Sequence, residues 1–229
     1  MNARNARWLP FAIAAVAAVL LTRRGMAAQD VVARLDGHAP PTVVRAVQAI
    51  AQDAAARGLP VEPLIQKTLE GSAKGVPPER VIAAVQLLSA RLDEARTALR
   101  AGGIPAPNTE ALEGGAYALS AGLSADQVRD LGRVSRPVYD PALTLHIAAT
   151  LTALGVPAPQ GVQLLRHMIQ AGRTPSELLD LPGEVQASIA RGSSAAQAVE
   201  ALDVEEGGLG QHAHQGEQGE QRENRPHRP

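Results

Sequence analysis

Cysteine is absent from this 229-residue chain. Its absence excludes disulfides, thiol nucleophiles, thiolate zinc sites and iron–sulfur clusters together. Aromatic side chains are nearly as scarce, with one Trp, one Phe and two Tyr. Trp8 and Phe11 fall in the first 28 residues, which leaves Tyr117 and Tyr139 for the remainder. Proteins that hold single-stranded nucleic acid stack bases on aromatic platforms, and two isolated tyrosines supply none. A positive excess is missing as well. The chain has 22 basic and 23 acidic side chains, and four of the basic ones, Arg4, Arg7, Arg23 and Arg24, sit near the N-terminus. The rest is net acidic by about five charges, the opposite of a nucleic-acid footprint. Alternation of apolar and polar residues, the signature of a half-buried strand, is also missing.

What the chain does have is alanine, valine, leucine and isoleucine at helical spacing. Val81, Val85, Leu88, Leu92, Ala95 and Leu99 recur at steps of four and three, one apolar stripe along a long helix. Val43, Val47, Ile50 and Ala54 form a second stripe, and Leu143, Ile147, Leu151 and Leu154 a third. The patterns predict helices at about 41–57, 60–74, 77–101, 108–121, 124–133, 141–154, 157–171, 174–180, 182–191 and 193–203. The expected fold is all-α, an array of short antiparallel helix-turn-helix units without a β-sheet.

Between these helices stands a repeated corner. In "EGSAKGVPPERV" (70–81), glycines flank a lysine, as in a phosphate-binding loop. That loop needs four residues between its glycines, then Gly-Lys-Ser/Thr, after a strand. Here Gly71 and Gly75 have three residues between them, Lys74 precedes the second glycine and Val76 replaces the hydroxyl. A Ser-x-x-Lys nucleophile fails too, because Ser72 lies two residues before Lys74. The stretch reads instead as a helix end. Gly75 supplies a left-handed cap, Val76 its apolar contact, and Pro77 and Pro78 stop one helix and start the next. Equivalent corners begin at Gly58, Gly103, Gly122, Gly155 and Gly172. Gly58–Gly75 and Gly155–Gly172 share one spacing, and "RGLPVEPLIQKTLEGSAKGVPPERVI" aligns without gaps on "LGVPAPQGVQLLRHMIQAGRTPSELL". A degenerate helical repeat is the expectation.

The ends differ from this middle. Arg4 and Arg7 precede fifteen uncharged residues, Trp8 to Thr22, and then small residues, the three parts of a secretory signal. As a helix that run reaches about 22 Å, short of the roughly 30 Å hydrocarbon core. Cleavage near Ala28 and export to the periplasm or medium follow; the alternative is an uncut segment anchoring the protein to a membrane. Beyond Asp203, "EEGGLGQHAHQGEQGEQRENRPHRP" is too polar to form a core and is expected to be disordered. The expected organisation is a signal (1–28), an N-terminal helical repeat region (29–104), a C-terminal one (105–202) that can pack with it as one domain, and a polar tail (203–229).

Chemistry is harder to find. Lys67, Glu70 and Lys74 share a helix face at three- and four-residue spacing; an anion site is conceivable, and a surface ion-pair ladder explains them. His146 and His167 match no H-E-x-x-H pattern, and a metal needs three or four convergent ligands. His212, His214 and His227 give the tail the means to pick up Zn²⁺, Ni²⁺ or Cu²⁺, with incidental binding the plain reading. Asp140 before Pro141 reads as a helix N-cap, with Arg136 and Tyr139 beside it. No catalytic, cofactor or metal residue is assigned. The expected function is a non-catalytic interaction or scaffold module of the cell envelope, with a protein partner, no nucleic acid, and a membrane only if the signal is retained. The alternative is a small-molecule binder or enzyme whose site assembles only in three dimensions.

Overall fold

The computed structural model describes residues 30–135 and 138–204. The expected signal, Arg136 and the tail from residue 205 onward lie outside the described residues. Among the described residues there are ten helices and no strand. They are α1 (30–35), α2 (Pro41–Ala56), α3 (Glu62–Ala73), α4 (Pro78–Ala101), α5 (Thr109–Ala121), α6 (Ala125–Val134), α7 (Pro141–Ala153), α8 (Ala158–Gln170), α9 (Pro175–Ala190) and α10 (195–204). The fold is all-α.

The corners are helix ends of one design. At Gly75, with φ of 66°, the Gly75 N–H donates to Ser72 O at 3.0 Å and the Val76 N–H to Gly71 O at 3.0 Å. These are the two bonds of a Schellman cap, which satisfies carbonyls left over at the end of a helix and needs a left-handed residue that glycine adopts without steric cost. The same pair of bonds closes α2 at Gly58, α4 at Gly103, α5 at Gly122, α7 at Gly155 and α8 at Gly172. Gly192 closes α9 in the same way, a corner the pattern missed. New helices then start on side-chain caps. Asn108 and Asp140 accept from backbone N–H groups of α5 and α7. Ser124 with Gln127, and Thr174 with Glu177, form reciprocal capping boxes on α6 and α9.

Several expectations need correction. α1 was not foreseen, being a helix of six residues held by buried Val31 and Leu35. The predicted pair at 174–180 and 182–191 is one helix, α9, with Pro182 inside it. Proline in a helix interior costs about 3 kcal/mol. Burial of Leu178, Leu181 and Val185 along one face offsets that cost and carries the helix through. α10 runs through Val204, one residue past the expected helix at 193–203 and into the stretch expected to be tail. On α4 the buried stripe passes through Ser89 where Leu88 was expected, and Arg57, the C-cap of α2, donates to Ser89 Oγ at 3.2 Å. On α2, Ala51 is buried where Ile50 was expected.

The chain divides into two compact units between Asp93 and Glu94, inside α4 and ahead of the expected division between residues 104 and 105. In the first unit, bonds of α1 and α2 to later helices fix the packing. Arg34 of α1 forks onto Glu62 in the first turn of α3, with Nη2 to Oε1 at 2.8 Å. Arg57 donates to Asp93 Oδ2 at 2.9 Å and to Asp53 Oδ2 at 2.6 Å. Gly71 lets α3 approach Val81 of α4, where an added Cβ would lie 3.0 Å from Val81 Cγ2.

The second unit is built around α7, which buries Thr144, Leu145, Ile147, Ala148, Ala149 and Leu151 on several sides. It packs on α5, α6, α8 and α9, so the single stripe expected for it was too narrow. α5 runs parallel to α7. A Cβ on Gly114 would meet Ala142 O at 3.1 Å, and one on Gly122 would lie 4.0 Å from Thr152 Cγ2. The C-terminal part of α4 belongs to this unit through Ala95 against Gly115 and Leu99 against Gly132. A buried hydroxyl pair, Ser135 and Thr144 at 2.7 Å, ties the end of α6 to α7.

Candidate functional site

The lysine–glutamate cluster on α3 is an exposed ladder. Glu70 receives Lys67 Nζ at 3.2 Å on one oxygen and Lys74 Nζ at 2.5 Å on the other. All three side chains are exposed, at 45–67% of full accessibility. Hydrogen bonds from Lys74 and then Lys67 hold the Glu70 carboxyl below its ordinary value. Both lysines are thus engaged by one carboxylate on one helix, as three- and four-residue spacing dictates.

A cleft of about 510 Å³ opens beside this helix, where the α1–α2 and α3–α4 corners face each other. Asp36, His38, Pro40, Pro77 and Ser72 are among its lining residues. A Ser, a His and an Asp in one lining set invite a nucleophile reading, which requires serine hydrogen-bonded to histidine. Ser72 Oγ is buried and has no partner, so that pair is not formed.

A second cleft, about 430 Å³, lies where α5 and α7 begin, lined by Asn108, Val138, Tyr139 and Asp140 among others. Asp140 is an N-cap, as its place before Pro141 foretold, accepting from Ala142 N–H at 2.9 Å. Tyr139 is a strut. It is buried, and its hydroxyl donates to the Arg173 carbonyl at 2.5 Å, tying the α6–α7 loop to the α8–α9 corner.

The two helix histidines have separate partners. His146 of α7 stacks on Tyr117 of α5 with ring centroids 4.8 Å apart and planes at 27°. His167 of α8 places Nδ1 2.7 Å from Asp203 Oδ1 of α10, and Gln163 Nε2 donates to the other Asp203 oxygen at 3.1 Å. Among the described residues no three His, Cys, Asp or Glu side chains come together as metal ligands. The tail histidines lie outside the described residues. Sequence reasoning missed the His167–Asp203 contact because it joins residues 36 apart. Arg34–Glu62 and Arg57–Asp93 join residues 28 and 36 apart, with no local pattern to announce them.

The chain matches no protein-family model and no curated protein. Among the described residues no helix is long and apolar enough to cross a membrane.

Proposed function

We propose that the protein is an exported, non-catalytic helical module that binds a protein partner in the cell envelope through the surfaces its helices present. The observation that supports this reading is the composition of the interior. Among the described residues the buried polar side chains are four hydroxyls, Thr68, Ser89, Ser135 and Thr144, while ion pairs such as Lys74–Glu70 and Arg173–Glu177 lie toward the surface. Acid–base catalysis draws on ionisable groups whose burial tunes their proton affinity. Here charges clamp helices, and large apolar side chains such as Leu87 and Leu179 stand 57% exposed.

The helical duplication belongs to the same proposal. α3 and α8 occupy matching places in the two aligned stretches, each between Schellman corners. They bury corresponding positions: Leu64 and Gly161, Ile65 and Val162, Thr68 and Leu165. Stacked helix pairs of this kind give extended binding faces.

Cross-linking of the exported protein in intact envelopes tests the function. One partner, cross-linked reproducibly and lost on Leu87→Asp or Leu179→Asp in a folded variant, supports it; cross-links indifferent to both substitutions overturn it. Export has its own test. An intact mass beginning near Ala28 supports cleavage, and a mass that includes Trp8 and Phe11 overturns it.

A further inference from the structure

We propose that the cleft between the α1–α2 and α3–α4 corners binds a small amphipathic amine that also carries a hydroxyl or carbonyl, with its ammonium at Asp36 and its polar group at Ser72. This inference is independent of the partner-binding reading.

It starts from an unsatisfied hydroxyl. Ser72 lines the cleft, and its Oγ is buried with no hydrogen-bond partner. Buried hydroxyls are nearly always bonded, and one left unpaired has given up water without compensation. The hydroxyl one turn earlier on α3 shows the usual outcome: Thr68 Oγ1 donates to Leu64 O at 2.8 Å. Ser72 makes no such bond to its own helix. A serine hydroxyl both donates and accepts, so it can serve a hydroxyl or a carbonyl that enters the cleft.

The charge of the lining selects the other end of the ligand. Asp36 is exposed at the cleft and, among the described residues, has no ion-pair partner. Among the described residues no Lys or Arg lines the cleft, and His38 stands beside Asp36. Helix N-termini ordinarily offer N–H groups to an anion. Here α2 opens on Pro40 and Pro41 and α4 on Pro77 and Pro78, and proline has no N–H to give. An anion meets a carboxylate and few donors, whereas an ammonium meets its counter-charge.

The rest of the lining is apolar. Buried Val43 and Val81 and half-buried Val76 join the prolines there, a surface for a short hydrocarbon body. At about 510 Å³ the cleft has the size of a small-molecule site rather than of a protein-binding face. All of its residues belong to the first compact unit, so that unit holds the site by itself.

Methyl NMR titration of the full chain tests this with matched probes. Leucinol joins an ammonium, a branched apolar body and a hydroxyl; isopentylamine lacks the hydroxyl; in isocaproate a carboxylate replaces the ammonium. Leucinol is expected to shift the Val43, Val76 and Val81 methyl signals saturably, while isocaproate leaves them in place. Asp36→Asn weakens leucinol binding about two- to fivefold. Isopentylamine binds about two- to tenfold more weakly than leucinol, and Ser72→Ala removes that difference while unshifted Leu64 methyl signals report an intact fold. Absence of a shift with leucinol overturns the proposal. So does equal binding of isocaproate and isopentylamine, unchanged affinity in Asp36→Asn, or a leucinol advantage that survives Ser72→Ala.

Discussion

Gly115 of α5 packs against Ala95 of α4 so closely that a Cβ added to the glycine would lie 2.7 Å from Ala95 Cβ. The atom it would meet is short and attached directly to helix backbone, so neither helix can yield without moving. Gly183 of α9 is the counterpart, a helical glycine with nothing within 4 Å of an added Cβ.

Gly115→Ala is therefore expected to destabilise the protein by about 1–2 kcal/mol. Overpacking, at about 1–3 kcal/mol, outweighs a gain of about 1 kcal/mol in helix propensity. Gly183→Ala is expected to stabilise by about 0.5–1 kcal/mol, since only the propensity changes. Urea denaturation of the two variants should give midpoints displaced in opposite directions. Equal displacement of the same sign would show that α4 and α5 are not in contact.

Gly75→Ala separates conformation from space. Nothing lies within 4 Å of an added Cβ, yet φ is 66°. The expected loss is about 1–2 kcal/mol, the cost of a left-handed backbone for an L-residue. Gly75→Asn should recover part of it, because asparagine tolerates that conformation. Thermal denaturation of the pair reads the difference.

Asp140→Ala removes the side-chain cap of α7, whose N–H acceptor bond is 2.9 Å long. A loss of about 1 kcal/mol is expected, and Asp140→Asn should retain most of the stability because its carbonyl still accepts. An equal loss in both variants would point to the charge rather than the cap. Chemical denaturation at pH 7 distinguishes them.

The Arg34–Glu62 fork makes stability depend on acid. Hydrogen bonds from Arg34 and then Gln66 lower the Glu62 carboxyl from 4.5 to about 2. A folded-state value below the unfolded one means the contribution is fully present above pH 4.5 and is lost as pH falls through about 2. The pair is exposed and its contribution is screened by salt. Glu62→Gln should lower the urea midpoint slightly near neutrality, and the gap from the unmutated protein should close toward pH 2. A gap independent of pH would contradict the assignment.

Sequence and structure agree most closely where the signal is local. Six of the corners were read from glycine followed by an apolar residue, proline or hydroxyl, and each is a helix end. Asp140 was identifiable as a cap because its capping bond spans only two residues. Lys67, Glu70 and Lys74 were recognisable as a ladder for the same reason. Pro182 misled because its local cost is real and distant packing overrides it. Ser72 carried no signal at all, its burial being decided by a cleft between corners far apart in sequence.

Among the described residues the amino-acid order by itself settled that no sheet forms and where most helices start and stop, α1 and the run through Pro182 excepted. Those choices rest on backbone bonds within five residues and on periodic apolar faces. Which helices touch was decided only in three dimensions, where Arg34 meets Glu62, Tyr139 reaches Arg173, and His167 finds Asp203. Contacts across some thirty residues depend on the volumes and angles of every helix between them, and no short pattern encodes that sum.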